Sequence, residues 1–412
     1  MIAIAALLAT IASIVLLLFS PFNGVLTTVM LKSFVDASWD KTFLGINSLQ
    51  TLSVALPVLI LPRILFSRTR RFFDMELTGI ALAVFFTSMI GVSGLLAAGK
   101  FYSSVEYFFR IVSGCMGFVL FQYYFNEREA FRKLILFLLL AGLFPVLVGI
   151  YQGLTGTMWR IETTSAGMFR YVGMYHDAFT VRYYGYQTLT AILLYWSYFA
   201  DRKLIMKAML ALYGCATIFV IFKGYSKTGL LIFVVWAFIW AFVARKIHWL
   251  LVIAAAVMVI NFTMDNRILN DTERVYMKEI GAYEGTMDEK YILSGRMVVW
   301  ESAWNKWNEV DTFKKLFGSG ANPPVHNEYL RILICNGIVG LLVFIVSLII
   351  ISGKVVGRVL ARASPLNVTA LMVLCMLIID TIGLHPGLYP AYQWYIYGFI
   401  TLALSGVTGL DK

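Results

Sequence analysis

Read along its length, the chain is a succession of apolar stretches, each closed by a short polar break. About twenty apolar residues in a helix cross the hydrocarbon layer of a bilayer, so this pattern predicts a polytopic membrane protein. Twelve spans are expected, at approximately 3–20, 43–66, 76–98, 103–125, 132–153, 186–200, 206–222, 228–244, 248–263, 328–352, 367–383 and 390–408. They are read as helices because an open sheet leaves backbone groups without partners in lipid. A closed barrel would use strands of about ten residues alternating in polarity, and these runs are too long and too uniformly apolar for that. The expected fold is all-α, a single transmembrane domain over residues 1–412. Two long polar segments interrupt it, at 154–185 and 264–325, the second with helices lying along the membrane surface.

Composition sharpens this picture. The chain is 60% hydrophobic and 14% charged, where soluble domains carry about 45–50% and about 25%. A soluble enzyme, a disordered chain and a disulfide-stapled secreted domain are excluded. The net charge of +11 does not point to nucleic acid, because many basic residues sit in short loops where they orient membrane spans. With the N-terminus placed inside, the inner loops hold fifteen lysines and arginines: Arg68, Arg70, Arg71, Arg128, Arg132, Lys133, Arg202, Lys203, Lys207, Arg245, Lys246, Lys354, Arg358, Arg362 and Lys412. The short outer loops hold five, namely Lys32, Lys41, Lys100, Lys223 and Lys227. Both termini are therefore expected in the cytoplasm and both long polar segments outside. Cys115, Cys215, Cys335 and Cys375 all lie within apolar runs and are read as packing residues. The first apolar run lacks a basic leader and a clear cleavage site, so no cleavable signal peptide is expected.

Chemistry must then come from the two long segments and the adjoining span ends. The first contains Arg160, Arg170 and Arg182, with His176 and Asp177, interleaved with Trp159, Tyr171, Tyr175, Tyr183 and Tyr184. Arginine is always charged and presents a planar fork that binds phosphate oxygens bidentately. Such a set suits a ligand with phosphates and flat sugar faces; it equally suits an aromatic belt with arginines reaching lipid headgroups. The second segment ends in Leu293-Ser294-Gly295-Arg296, a helical stretch with Trp300, Trp304 and Trp307 on one face, and Gly318-Ser319-Gly320-Ala321-Asn322-Pro323-Pro324-Val325-His326-Asn327. The glycines and prolines predict a turn that delivers His326 to the outer mouth of span ten. A neutral imidazole there can accept a proton from a hydroxyl, or serve only as a cap.

His326-Asn327, nine residues, Gly337, two residues and Gly340 form the pattern His-Asn-x9-Gly-x-x-Gly. With the preceding Ser-Gly-Arg and Gly-Ser-Gly segments and the twelve-span layout, the chain resembles the O-antigen polymerase and O-antigen ligase superfamily of bacterial envelopes. The resemblance implies a GT-C-like, metal-independent glycosyltransferase without a cofactor, acting at the periplasmic face of the inner membrane. Its donor would be a glycan carried on undecaprenyl diphosphate, and its partners the bilayer and a chain-length regulator. His326 would be the catalytic base, and Asn327, Arg170, Arg182 and Arg296 would bind sugar and diphosphate. Where the family often has Ser-Arg, this chain reads Ser226-Lys227, so Lys227 would replace that arginine. The Pro-Asn often found after the first-loop arginine is absent, and His176-Asp177 stand near its place.

The residues support the same chemistry separately. A departing diphosphate gains negative charge and needs cations, and no Asp-x-Asp triplet is present to hold a metal. Arg331 and Arg110 lie well within spans, where an arginine usually faces a cavity or a partner. Arg331 is a further candidate for the site, and Asp380 a candidate partner for either. Asp36 and Asp40 form the best remaining carboxylate pair, read as a solvated loop. His385 is read as a loop residue. Polymerase is favoured over ligase; a transporter of lipid-linked glycan is the rival class, though no internal repeat of the kind common in transporters is found.

Overall fold

The computed structural model describes residues 2–67, 75–164, 167–200, 204–243 and 267–410, together with 245, 247 and 258. The first six helices are α1 (Ile2–Phe19), α2 (Pro21–Asp36), α3 (Ser48–Leu65), α4 (Met75–Ala97), α5 (Phe101–Tyr124) and α6 (Arg128–Thr155). A small antiparallel hairpin, β1 (Thr42–Phe43) with β2 (Ile46–Asn47), separates α2 from α3. Then follow α7 (Ala178–Tyr198), α8 (Leu204–Lys223) and α9 (Lys227–Phe238), the last extended by a π-turn over Ile239–Val243. Three further helices, α10 (Arg267–Tyr283), α11 (Arg296–Glu309) and α12 (Thr312–Phe317), precede α13 (Glu328–Ala361), α14 (Pro365–Gly383) and α15 (Pro390–Ser405).

Among the described residues, eight helices are long and apolar enough to cross a membrane: α1, α3, α4 from Glu76, α5, α6, α8, α13 and α14. The protein is an all-α polytopic membrane protein, as the hydropathy pattern predicts. The span expected at 248–263 lies outside the described residues.

Two departures from the expected spans have one physical cause. The stretch after span one, read as loop, is the helix α2; Asn23, Lys32 and Asp36 interrupt its apolar run. Helix α7 begins at Ala178, within the stretch read as the first polar loop, and carries Arg182, Tyr183, Tyr184, Gln187 and Thr188, all buried. A helix surrounded by other helices needs no lipid-compatible surface, so its polar residues can pair with protein instead. In α2, Lys32 pairs with Asp36 one turn on. Asp36 also accepts hydrogen bonds from Tyr183 at 3.1 Å and Tyr184 at 2.7 Å. The pair Asp36 and Asp40 is thus split: Asp36 is buried, while Asp40 is exposed beside Lys41.

The added helix also reverses α1. Arg63, near the end of α3, donates to the Leu17 and Leu18 carbonyls at 2.9 Å each. Phe22 packs on Tyr124 and Phe125 at the end of α5. The α1–α2 turn therefore lies on the face where α3 and α5 end. The other end of α1 packs with β1 on the opposite face. Past α15, Thr408 donates to the Asn126 carbonyl at 2.7 Å, on the α5–α6 face. The two ends of the described chain sit on opposite faces of the bundle.

Candidate functional site

The site gathers on the face where α7, α11 and α13 begin. Asp177 caps α7, accepting from the Thr180 N–H at 2.8 Å, from the Tyr389 hydroxyl at 2.6 Å, and sharing a hydrogen bond with His176 Nδ1 at 3.1 Å. Burial opposes ionisation of Asp177, but the hydrogen bonds from His176, Tyr389 and Thr180 outweigh it and bring its pKa down to about 2. His176 packs edge-on against Trp39, with Arg160 over the same indole.

Arg296 starts α11 immediately after three residues of positive φ: Leu293 at 49°, Ser294 at 59° and Gly295 at 84°. Left-handed backbone at a leucine costs of order 1–3 kcal/mol and persists only where surrounding structure enforces it. Here the turn sets the guanidinium against Gly383 at the end of α14; a Cβ at that glycine would stand 2.9 Å from Arg296 Nη1.

His326 is placed by three devices. Asn327 caps α13 by accepting from the Leu330 N–H at 2.9 Å, and its amide donates to the Ile382 carbonyl at 3.2 Å. Trp300 of α11 donates to the Val325 carbonyl at 2.7 Å, tying the preceding segment down. Helix α13 is itself broken at Gly337, with φ 72° and ψ −173°. The break leaves the carbonyls of Ile334 and Cys335 free, and Ser319 and Gly320 donate to them at 3.1 and 3.0 Å. The Gly-Ser-Gly segment lies so close to the break that a Cβ at Gly318 would stand 2.1 Å from the Cys335 carbonyl oxygen. The predicted turn is therefore part of a packed joint between the polar segment and α13.

The imidazole of His326 stands with its ring centre 5.3 Å from that of His385, the planes inclined by 31°. Burial lowers the His326 pKa below its ordinary value; Arg296 lowers it further, while Asp177 opposes both. His326 is thus held as a neutral base at neutral pH.

The expected cations take distinct positions. Arg182 is buried in α7, pairs with Asp380 of α14 and donates to Ser226 Oγ at 2.9 Å; Tyr392 also donates to Asp380 at 2.9 Å. Asp380, expected beside Arg331 or Arg110, is the partner of Arg182. Arg170 pairs with Glu162 at 2.7 Å. Lys227 pairs with Glu279 of α10 and reaches Ser294 Oγ at 3.3 Å. Arg331 is buried and gripped two-pronged by Glu328, and Arg110 pairs with Glu106. Arg296 alone of the five proposed ligand cations has no hydrogen bond or ion pair among the described residues. Burial depresses its pKa, and the neighbouring charges of Arg182 and Arg170 add to the effect. Glu279, engaged by Lys227, opposes that shift. Arg296 thus lies in the field of two other arginines and one acid, without a hydrogen bond of its own among the described residues and with His326 alongside.

Sequence reasoning missed His385, Glu328 and Tyr389. The turn carrying His385 gave no spacing signal linking it to His326, and Glu328 follows the His-Asn pair as an ordinary helix-start acid. No model of a known protein family matches the chain, and no curated protein matches it.

Proposed function

We propose that the protein is a membrane glycosyltransferase that joins undecaprenyl-diphosphate-linked repeat units of a surface polysaccharide, in the manner of the O-antigen polymerases its His-Asn motif resembles. The observation that carries this reading is the unpaired guanidinium of Arg296, in the field of Arg182 and Arg170, beside a neutral His326. A half-buried cation whose donors have no hydrogen-bond partner is a site for an anion. A diphosphate held there would place the bond to its sugar near His326. The acceptor hydroxyl oxygen forms a bond to the anomeric carbon as the bond from that carbon to the diphosphate breaks. The electron pair leaves on the diphosphate, where Arg296 stabilises it, and the hydroxyl proton passes to His326.

In this reading α1–α9 and α13–α15 are spans of a GT-C-like transmembrane domain. The face bearing His326 is periplasmic. The opposite face carries Arg128, Arg132, Lys133, Lys207, Arg358 and Arg362, the basic bias of cytoplasmic loops in the inner membrane. Ligation of the glycan to a lipid A-core acceptor uses the same chemistry; cells lacking the protein distinguish the two. Single repeat units on the acceptor lipid indicate a polymerase, and long glycan retained on undecaprenol indicates a ligase.

The broken helix α13 is the observation that favours a transporter, since transporters use discontinuous helices to present carbonyls to a cavity. Here the carbonyls of Ile334 and Cys335 are already occupied by Ser319 and Gly320, which favours a structural joint. The test of the main reading is His326→Ala. Transfer from lipid-linked donor should fall by about 10²–10⁴-fold with insertion and folding intact; near-native turnover would remove His326 from the chemistry.

A further inference from the structure

Beside His326 the structure holds a second imidazole, His385, in the turn between α14 and α15. The turn is closed on itself: Leu388 N–H donates to the His385 carbonyl and Tyr389 N–H to that of Pro386, each at 3.1 Å. Gln393 donates its side-chain amide to the Gly387 carbonyl. The turn lies directly on the buried Glu328–Arg331 pair, where a Cβ at Gly387 would stand 2.3 Å from Glu328 Oε1 and 3.1 Å from Arg331 Nη2. The turn is packed directly against that pair, which fixes the place of His385 in the fold.

The chemistry of His385 is unspent. Its Nδ1 is buried and has no hydrogen-bond partner among the described residues. Glu328, the nearest acid on α13, has both oxygens engaged by Arg331. Burial lowers the pKa of His385 to about 4; Glu328 and Asp177 oppose the shift, and His326 and Arg331 add to it. The ring is neutral at neutral pH, with one donor and one acceptor nitrogen. A buried polar atom left unpaired costs about 1–3 kcal/mol. The ring as a whole is partly exposed beside the proposed base, and neither nitrogen has a hydrogen-bond partner among the described residues, so a ligand hydroxyl that reaches His326 also meets an unengaged imidazole.

We propose that His385 is a second substrate-binding imidazole, which hydrogen-bonds a hydroxyl of the acceptor sugar adjacent to the one that His326 deprotonates. The proposal rests on the glycosyl-transfer reading. Two imidazoles with ring centres 5.3 Å apart can each hold one of two neighbouring hydroxyls at ordinary hydrogen-bond length. His326 removes the proton, and His385 fixes which oxygen is presented.

The experiment uses the full-length protein in nanodiscs and the lipid-linked repeat unit extracted from cells lacking it. His385→Leu should raise the repeat-unit concentration needed for half-maximal elongation about tenfold, the effect of one lost hydrogen bond to substrate. Binding of undecaprenyl diphosphate itself, measured separately, should be unchanged. His385→Gln, whose amide still donates and accepts, should recover most of the loss. Unchanged half-saturation in His385→Leu would overturn the proposal. So would equal losses in the leucine and glutamine variants, or weakened binding of undecaprenyl diphosphate, since both indicate a structural role. Absence of elongation by the unaltered protein would overturn the transferase reading and this proposal together. Normal elongation by both the unaltered protein and His385→Leu would overturn this proposal alone.

Discussion

At the scale of single residues, charge compensation separates the arginines. Arg182 and Asp380 form a buried pair, and removing one partner of such a pair costs about 3–5 kcal/mol because the other is left charged in a dry interior. Arg182→Ala should therefore reduce the yield of folded protein, and the double variant Arg182→Ala/Asp380→Asn should recover much of it, as read by thermal unfolding in detergent. Arg296 has no such partner to strand. Arg296→Lys should fold normally yet lose about 10²-fold in transfer, because an ammonium keeps the charge but loses the two-pronged phosphate contact. Full activity of the lysine variant would reduce Arg296 to an interfacial anchor. The same guanidinium depresses the His326 pKa. Because the base must be neutral, the rate should fall only as pH drops through a value below the ordinary 6.5 of histidine. In Arg296→Gln the His326 titration, followed by NMR, should move upward towards 6.5; a downward move would contradict the site's electrostatics.

At the scale of elements, the joint between the Gly-Ser-Gly segment and the break in α13 holds the catalytic candidate in place. Gly337 occupies a backbone region essentially closed to other residues, at a cost of order 1–3 kcal/mol for a side chain. A Cβ there would also stand 2.3 Å from the Leu316 carbonyl oxygen. Gly337→Ala should consequently destabilise the protein and misplace His326, lowering turnover even in the fraction that folds. Trp300→Phe is the milder test. It removes the hydrogen bond to Val325, worth about 1 kcal/mol, along with part of the ring, and should reduce transfer with a small change in thermal midpoint. Equal activity in both variants would show that the joint does not position His326. The glycines of His-Asn-x9-Gly-x-x-Gly were visible as a spacing, but their purpose was not. Positive φ and the close approach of a segment distant in the fold exist only once the helices pack.

At the scale of the whole molecule, the α1–α2 hairpin sets the position of the N-terminal end. Single cysteines at Ile4 and at Asp40, introduced after replacement of the four native cysteines, should be labelled by an impermeant maleimide from the same side of sealed vesicles. A cysteine at Ser405 should be labelled from the other side. Labelling of positions 4 and 405 from one side would restore the arrangement expected from twelve spans alone.

What the sequence determined by itself was everything governed by local hydrophobicity and local chain chemistry. It specified the helical membrane class, most of the span positions, the helix over Trp300, Trp304 and Trp307, and the delivery of His326 by a Gly- and Pro-shaped turn. These follow from the cost of exposing backbone to lipid and from the φ preferences of glycine and proline, which act over a few residues. The tertiary structure alone decided which polar residues lie inside the bundle. Lys32, Asp36 and Arg182 looked like loop residues because a single sequence cannot tell a polar helix facing water from one enclosed by other helices. It alone also decided the pairing of charges. Asp380 with Arg182, Glu328 with Arg331 and Glu279 with Lys227 join partners whose proximity depends on packing, and Arg296 stands out only after those pairs are made. The closeness of His326 and His385 has the same origin: two segments separated by two whole spans meet because α13, α14 and α15 pack with their site-side ends together.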